Sequence, residues 1–257
     1  MTPKNRISSD WKAVGTLDAL PLLPPEELQL WRVELTGADI LFEACMSYLT
    51  EEEHARSARR RHAQSRRQFV IGRGCLRLLL GAVLETAPRL VPITAGPHGK
   101  PELPSPGSAV SFNVAHSGDT VLIALCRHAS VGVDLEQINP SLEFMPVAQA
   151  SFTRTETMKL AELTDPAQQR MAFYRCWTQK EAVAKADGRG LALPMSSFEV
   201  PISPAHSAPV SIKQPSRTGS KVYYVTGLPL GGAEFAGAVA LDTGGFSMKL
   251  LRFPPLG

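Results

Sequence analysis

The sequence lacks any apolar run of the roughly 20 residues that a membrane-spanning helix needs, and only 7% of its 257 residues are aromatic. No two of its four cysteines have the C-x-x-C spacing of zinc or redox motifs. Residues 1–5 lead into polar sequence rather than into the apolar core of a secretory signal. These absences predict a cytoplasmic protein with reduced thiols and with no membrane span, disulfide framework or zinc centre.

Positive charge is scarce overall but concentrated in one place. The net charge is only +3, yet basic residues crowd one short segment. They are Arg56, Arg59, Arg60, Arg61, His62, Arg66 and Arg67. One interpretation is a solvated helix face, and another is an anion site for phosphates or for an acidic partner protein. A nucleic-acid-binding module is a third, although no aromatic residues are interleaved with these arginines.

A chain of this length can form one large domain or two small lobes. Residues 1–27 are polar or proline-rich and predict a loose N-terminal arm. Residues 28–108 predict an N-terminal lobe that ends in a linker rich in proline and glycine, and residues 109–257 predict a C-terminal lobe. Periodicity predicts helices over 39–49, 69–84, 142–150 and 168–187, and strands over 28–35, 109–115, 120–126 and 130–138, with short strands from residue 200 onward.

Two similar segments suggest an internal repeat. Thr50 with Glu53, and Thr153 with Glu156, each form a T-x-x-E capping box that opens a helix leading to another helix. Coincidence is the alternative, because capping boxes are common. A true repeat predicts two similar α+β lobes with a ligand in the cleft between them.

Asp134 and Glu136 end an apolar stretch that predicts a strand. Side chains two residues apart point to the same side of a strand, so both carboxylates face one way and Leu135 faces the core. Carboxylates in such a place are costly unless they are paired, hydrated or bound to a metal. The alternative is an exposed strand end with solvated acids.

Glu181 lies on the predicted helix 168–187, with Lys180 just before it and Lys185 four residues after it. A Glu–Lys pair at this spacing is also an ordinary helix-stabilising pair, but the surrounding helix is apolar, which favours a cleft wall. Three carboxylates with nearby lysines can hold a magnesium ion against a diphosphate. Oxygen ligands favour magnesium or manganese over zinc. The residues therefore favour a phosphate-ester substrate.

Two further motifs are weak when taken alone. Lys100 lies in a stiff Gly-Lys-Pro turn, where it could meet a phosphate, although a turn lysine is usually only solvated. His116 is expected at the tip of a hairpin, where a lone histidine is more often structural than functional.

The order of these motifs is more specific than any one of them. Gly99-Lys100-Pro101 is followed by FNVAHSG at 112–118, GVDLE at 132–136 and WTQKEAVAK at 177–185. Together they resemble the phosphopantetheinyl transferase family, in its larger, Sfp-like branch. The resemblance covers about residues 49–200 and includes GRGL at 188–191.

The resemblance implies an α+β fold of two similar α/β lobes related by a pseudo-twofold, with the active site in the cleft between them. It implies a monomeric, magnesium-dependent enzyme that moves the 4′-phosphopantetheine arm of coenzyme A to a serine of an apo carrier protein. Adenosine 3′,5′-bisphosphate is released. The partner would be an acidic acyl or peptidyl carrier of fatty-acid, polyketide or nonribosomal-peptide synthesis.

The resemblance also implies roles for the acids and for the helix lysine. Asp134, Glu136 and Glu181 would hold magnesium on the diphosphate, and manganese is the alternative ion. Lys185 would contact the diphosphate and steady the leaving group. Glu181, directly or through a water, would be the base for the carrier serine. The implied catalytic residues are thus Asp134, Glu181 and Lys185.

Coenzyme A itself would be bound by Lys100, Pro101 and His116. Lys100 and His116 would meet the 3′-phosphate with help from an arginine, for which Arg56 and Arg67 are the candidates.

One departure from the family is Ala115, where members often have serine. It implies the loss of one hydroxyl contact to coenzyme A, worth about 1 kcal/mol. A relative that binds coenzyme A without transferring its arm is the alternative within this family.

Overall fold

The computed structural model describes residues 6–7, 10–96, 98–104, 109–202, 208–213 and 219–254. The helices are α1 (Asp39–Tyr48), α2 (Glu51–Ala58), α3 (Ala63–Leu84), α4 (Phe144–Ser151), α5 (Arg154–Ala161) and α6 (Pro166–Asp187). The strands are β1 (Arg6–Ile7), β2 (Lys12–Ala13), β3 (Glu27–Glu34), β4 (Thr94–Ala95), β5 (Pro101–Glu102), β6 (Val110–Ser117), β7 (Thr120–Arg127), β8 (Val131–Gln137), β9 (Ala208–Lys213), β10 (Ser220–Gly227), β11 (Phe235–Leu241) and β12 (Ser247–Arg252).

The longer strands form two sheets. The first has the order β1-β12-β3-β7-β6, with β2 also pairing with β12, and the second has the order β8-β11-β10-β9. β1, β2 and β3 run parallel to β12, and all other pairs are antiparallel. β4 and β5 form a separate small hairpin. This mixture of helices and sheets confirms the predicted α+β class.

Three apolar clusters show how the elements are layered. One cluster, which includes Ile71, joins α1 and α3 to the first sheet. A second, with Leu122 and Val133, lies between the two sheets. A third, with Val183, joins α6 to the second sheet. The layers are therefore helix, sheet, sheet and helix, and each sheet buries both faces.

The helices of the two halves repeat at a constant spacing. α2 and α5 begin and end 103 residues apart, and so do α3 and α6. Thr50 and Thr153 accept from the backbone N–H groups of Glu53 and Glu156, and both glutamates bond back to the cap. The two capping boxes are thereby confirmed. A pseudo-twofold relation between lobes stays a prediction.

Each capping-box glutamate is also half of a buried ion pair. Glu53 lies 2.6 Å from Arg77 Nε, and Glu156 lies 2.8 Å from Lys180 Nζ. Although burial alone would raise it, hydrogen bonds from Arg77 and the cap backbone hold the pKa of Glu53 below its ordinary value. Because a charge without a partner would be expensive here, each pair ties a long helix firmly to the short helix before it.

The same two cations also bind the loop that follows each long helix. Arg77 donates to the carbonyls of Pro88, Arg89 and Val91. Lys180 donates to the carbonyls of Met195 and Phe198 at 2.8 and 2.6 Å. In both halves, one buried cation therefore fixes a short helix, a long helix and the chain leaving it.

The described parts of the predicted N-terminal arm contact the rest of the chain. β1 and β2 pair with β12, and Trp11 Nε1 donates to the carbonyl of Pro229 at 2.8 Å. The division of the chain at 27/28 and 108/109 stays a prediction. β6, β7 and β12, which follow the second boundary, share a sheet with β3.

The helix boundaries differ from the predictions at the caps. α6 begins at Pro166 because the side chain of Asp165 accepts from two backbone N–H groups and proline suits the first turn. Gly188 ends it with φ 89°, as predicted. The basic segment is not one helix, because α2 ends at Ala58 and α3 begins at Ala63.

The structure bears on two of the absences noted in the sequence. No helix among the residues described is long and apolar enough to cross a membrane. All four cysteines are buried free thiols, which confirms their predicted state.

Candidate functional site

The candidate site lies where the edge strands of the two sheets meet. β6 is an edge of the first sheet, and β8 is an edge of the second. Asn113 Oδ1 of β6 accepts from the backbone N–H of Val133 at 2.8 Å. Ser117 Oγ accepts from the backbone N–H of Gln137, also at 2.8 Å. Side chains therefore join the two edges, and the functional residues of both strands become neighbours.

Strand β8 separates its apolar residues from its acids as predicted. Val131, Val133 and Leu135 belong to the cluster between the sheets. Asp134 and Glu136 consequently point to the opposite face, where α6 packs. Asp134 is buried, with 5% of its surface exposed.

A glycine brings α6 against this face. A Cβ atom added at Gly132 would lie 2.1 Å from the carbonyl oxygen of Ala182 and 2.4 Å from the backbone nitrogen of Ala186. Because only glycine leaves room for this approach, the helix and strand backbones touch. Glu181 and Lys185 are thereby held beside the acids of β8.

Lys185 bridges the helix and the strand. Its Nζ lies 2.6 Å from Asp134 Oδ1 and donates to the carbonyl of Val133 at 3.2 Å. The other oxygen of the carboxylate, Asp134 Oδ2, is buried and has no hydrogen-bond partner among the described residues. A buried carboxylate oxygen without a partner is expensive, so this atom is ready to accept a cation or a donor.

Burial raises the pKa of all three acids. Burial raises the pKa of Glu136 to about 7, with a further contribution from the charge of Asp134. Burial and then Asp134 raise the pKa of Glu181. Burial also raises the pKa of Asp134, although Lys185 opposes it. The buried acids are therefore costly to ionise together, and a bound cation would lower that cost.

Magnesium suits the chemistry of these residues. The candidate ligands are carboxylate oxygens, as hard divalent cations prefer, and Asp134 Oδ2 has a free lone pair. Across the described ranges, however, no group of three or more His, Cys, Asp or Glu side chains is arranged to hold a metal ion. The donors fit magnesium without forming a finished shell, and the assignment of Asp134, Glu136 and Glu181 as ligands stays a prediction.

Positive charge collects on the other side of the junction. A cavity of about 240 Å³ opens between α2, α3 and β6, with His116 in its lining. The guanidinium groups of Arg56, Arg60 and Arg73 lie 5.6, 4.6 and 6.0 Å from the ring centre of Phe69. Such a cluster suits a phosphate, because guanidinium groups bind its oxygens through paired N–H donors.

His116 connects the two sides of the site electrostatically. Partial burial, followed by the charges of Arg60 and Lys185, lowers the pKa of its imidazole. The residue pairs with Val121 inside the β6–β7 ladder, so it precedes the turn at Gly118 instead of forming the hairpin tip. Its position between two sets of cations makes it a suitable neighbour for an anion.

The structure sorts the other predicted coenzyme A ligands. Pro101 and Arg56 line the cavity with His116. Arg67 does not line it, because it bonds to Asp39 Oδ1 at 2.8 Å and to the carbonyl of Leu35 at 3.0 Å.

Sequence reasoning missed Arg60 and Arg73 as cavity residues. The available signal was spacing, because each lies four residues after another cavity residue, Arg56 and Phe69 respectively.

The two lysines nearest the predicted phosphates are both engaged inside the protein. Lys100 does not line the cavity, and its Nζ donates to the carbonyls of Val131 and Lys185 at 2.9 and 2.7 Å. Lys180 is fully buried against Glu156. Among the lysines that the structure describes, Lys185 alone forms an ion pair with one of the three acids.

The alanine before His116 is buried in the structure. Ala115 is 4% exposed and belongs to the cluster between the sheets. It shares its side of β6 with Asn113, which lines the cavity. The expected loss of a coenzyme A contact through this side chain stays a prediction.

Comparisons with known proteins show to which family the chain belongs. Residues 130–240 match the model of the 4′-phosphopantetheinyl transferase superfamily, and residues 36–128 match a second model, 4′-phosphopantetheinyl transferase, N-terminal. HetI of a Nostoc species, a 4′-phosphopantetheinyl transferase, is 33% identical over 185 residues, which are 71% of this chain and 77% of HetI. The chain belongs to the 4′-phosphopantetheinyl transferase superfamily. The family predicted from the motif order is confirmed.

Two further relatives of this superfamily are similar over shorter lengths. A putative 4′-phosphopantetheinyl transferase of a Synechocystis species is 36% identical over 152 residues, which are 59% of this chain and 61% of the relative. The 4′-phosphopantetheinyl transferase Sfp of Bacillus subtilis is 30% identical over 159 residues, or 62% of this chain and 68% of Sfp. The two superfamily models meet at the turn between β7 and β8, which is where the chain passes from one sheet to the other.

Proposed function

We propose that this chain transfers the 4′-phosphopantetheine group of coenzyme A to a serine of an apo carrier protein. One observation carries the proposal: an arginine-lined cavity and a cluster of three acids with Lys185 lie on the two sides of a single strand junction. Coenzyme A has a 3′-phosphate and a diphosphate, which need these two environments. Membership of the superfamily supports the same reading.

The cavity is the proposed site of the 3′-phosphate. Arg56, Arg60 and Arg73 provide charge and N–H donors, and His116 lies on the side nearest to Lys185. Pro101 helps to shape the wall. Because the arginines stack on Phe69, their planes are already oriented, which reduces the entropy lost on binding.

The acids are the proposed site of the diphosphate and its metal. Asp134, Glu136 and Glu181 would hold magnesium, or manganese, and the bound ion would neutralise diphosphate charge. Lys185 then exchanges Asp134 for the diphosphate oxygens and stabilises the negative charge of the leaving group. The 2.6 Å contact between Lys185 and Asp134 supports this role, since it shows that the ammonium group reaches the acids that would hold the metal and its diphosphate.

Glu181 is the proposed general base. Its raised pKa makes the carboxylate a better proton acceptor than an ordinary glutamate. It takes the proton of the carrier serine, directly or through one water, as the serine oxygen bonds to the phosphorus of the phosphopantetheine. The bond between that phosphorus and the bridging oxygen breaks, and adenosine 3′,5′-bisphosphate leaves with the electron pair. Alignment and charge neutralisation supply most of the acceleration in such transfers.

The proposed partner is an acidic acyl or peptidyl carrier protein. Arg59, Arg61 and Arg66 are exposed beside the cavity and offer a complementary charge. We also propose that the enzyme acts as a monomer in the cytoplasm.

The test is the intact mass of an apo carrier protein after incubation with this protein, coenzyme A and magnesium, with EDTA in a parallel sample. We expect a magnesium-dependent gain of one phosphopantetheine group. No gain across several unrelated carriers, together with measurable coenzyme A binding, would replace the proposal with a binding-only relative. Salt-sensitive binding of nucleic acid without any coenzyme A binding would instead favour a nucleic-acid-binding module built on the basic segment.

A further inference from the structure

One edge of strand β8 pairs with no other strand that the structure describes. Side chains bind the backbone groups along this edge. The opposite edge pairs with β11. On the free edge, the N–H of Val133 donates to Asn113, and the N–H of Gln137 donates to Ser117. The carbonyl of Val133 accepts from Lys185, and the carbonyl of Val131 accepts from Lys100. Polar backbone groups that a neighbouring strand would normally satisfy are instead held by side chains from three other segments.

Lys100 differs from the other side chains on this edge because it binds two elements at once. Its Nζ donates to Val131 at the start of β8 and to the carbonyl of Lys185 in the last turn of α6. The lysine itself comes from the turn between β4 and β5, a third part of the chain. One ammonium group therefore ties the strand that bears the acids to the helix that bears the base.

The carbonyl that Lys100 binds belongs to Lys185, whose own ammonium group reaches Asp134. Helix carbonyls in the last turn lack partners inside the helix, and a cation there is favoured by the helix dipole. Lys100 therefore fixes the backbone of Lys185 from one side, while Asp134 fixes its side chain from the other at 2.6 Å.

We propose that Lys100 is a positioning residue that sets Lys185 and α6 against β8. This differs from the direct 3′-phosphate contact that the sequence resemblance implies for it. The expected effect of Lys100 on kcat rests on the proposed transferase function. Its expected effect on the packing of α6 against β8 does not depend on that function.

The geometry explains why lysine suits this position. An ammonium group has three N–H donors on a long flexible stem, so it can satisfy two carbonyls that point in different directions. A planar guanidinium presents its donors in a fixed fork. Arginine is therefore expected to replace the lysine only in part, and methionine, which has a similar length and no donor, not at all.

The first experiment measures the contact without any substrate. Amide hydrogen exchange of Lys100→Met is compared with the wild type and with Lys159→Met, a control at an exposed lysine on α5. We expect faster exchange in 131–137 and 181–187, by about tenfold or more, with other segments unchanged. Unchanged exchange in both segments would overturn the proposal, whether or not the protein transfers phosphopantetheine.

The second experiment separates positioning from phosphate binding. Lys100→Met is assayed with coenzyme A and with 3′-dephospho-coenzyme A. A misplaced Lys185 lowers kcat by about 10- to 100-fold, by the same factor with both substrates, and Lys100→Arg recovers part of it. A loss that is confined to KM for coenzyme A and vanishes with the dephospho substrate would show a phosphate ligand and overturn the proposal.

A double-mutant cycle completes the test. If Lys100 acts through Lys185, the combined Lys100→Met and Lys185→Met variant has about the same kcat as Lys185→Met alone. Independent, multiplying losses would contradict this role. Should the wild type transfer nothing, the exchange experiment still decides the structural claim, so the two failures remain distinguishable.

Discussion

The two halves of the helical framework have the same skeleton but different side chains at the candidate site. Residues 50–84 and 153–187 have matching capping boxes, matching helix lengths and matching buried ion pairs. At the same spacing of 103 residues, Glu181 corresponds to Leu78 and Lys185 to Ala82. The first half thus has no counterpart of the proposed base or of the diphosphate lysine.

The reverse is true of the arginine cluster. The positions that correspond to Arg60 and Arg73 are Leu163 and Cys176 in the second half. The first copy therefore presents the arginines of the cavity, whereas the second presents Glu181 and Lys185 beside the acids of β8. The difference indicates that the framework supplies support in both copies, while each copy contributes different side chains to the proposed site.

The largest expected effect concerns Glu181 in the second half. Glu181→Gln should lower transfer by about 10²- to 10⁴-fold with the fold intact, because an amide cannot accept the serine proton. Its counterpart variant, Leu78→Met, should leave transfer unchanged, since a volume-conserving change keeps the packing. Carrier modification followed by intact mass measures both. A Glu181→Gln enzyme as fast as the wild type would remove the proposed mechanism.

The shared framework gives the next largest effect. Arg77→Met and Lys180→Met should each destabilise the protein by about 3–5 kcal/mol, because each removes the closest cationic partner of a buried glutamate. Urea unfolding measures both free energies. Exposed Lys159→Met serves as the control. A large loss in only one of the two variants would show that the halves do not use their ion pairs in the same way.

A moderate effect should follow pH. Burial and the charge of Asp134 raise the pKa of Glu136 to about 7, above the ordinary value near 4.5. The folded protein then binds more protons than the unfolded chain between these values, so its stability falls as pH rises through that window. Thermal unfolding in EDTA should show this fall, and Glu136→Gln should reduce it.

Magnesium offers the matching control for the pH effect. The ion competes with protons, so added magnesium should raise Tm more at pH 8 than at pH 6. If Tm in EDTA falls equally with rising pH in the wild type and in Glu136→Gln, the raised pKa of Glu136 is not the cause of the pH dependence.

The smallest expected effect is a difference in KM between substitutions of two arginines in the first half. Arg56→Ala should raise KM for coenzyme A by about tenfold, the value of one charge-assisted hydrogen bond. Arg67→Ala should change it far less, because Arg67 is paired with Asp39 outside the cavity. The difference should shrink with 3′-dephospho-coenzyme A. Equal effects of the two substitutions would mean that the cavity is not the phosphate site.

The sequence predicted what depends on local periodicity and on motif order. The capping boxes at Thr50 and Thr153, the alternation in β8 and the glycine end of α6 all follow from neighbouring residues, and each is confirmed. The order of the four motifs was enough to identify the superfamily. These signals need no knowledge of contacts distant in the chain.

What escaped prediction depends on contacts between distant segments. Lys100 is expected from the sequence to bind a phosphate, and Lys180 lies next to Glu181 in sequence, yet both lysines donate to carbonyls 31 or more and 15 or more residues away. The pairing of β1 and β2 with β12 joins opposite ends of the chain. No local pattern encodes these contacts, because hydrogen bonds to backbone carbonyls leave no residue signature on the accepting side.

The touching backbones at Gly132 limit how this enzyme can move. A contact made without side chains has no rotamer to change, so α6 cannot slide or tilt over β8 without separating from it. We therefore expect the acids of β8 and Lys185 to move together. The turn between α2 and α3, which presents its arginines from a break between two helices, is then the part that we expect to adjust around a bound substrate.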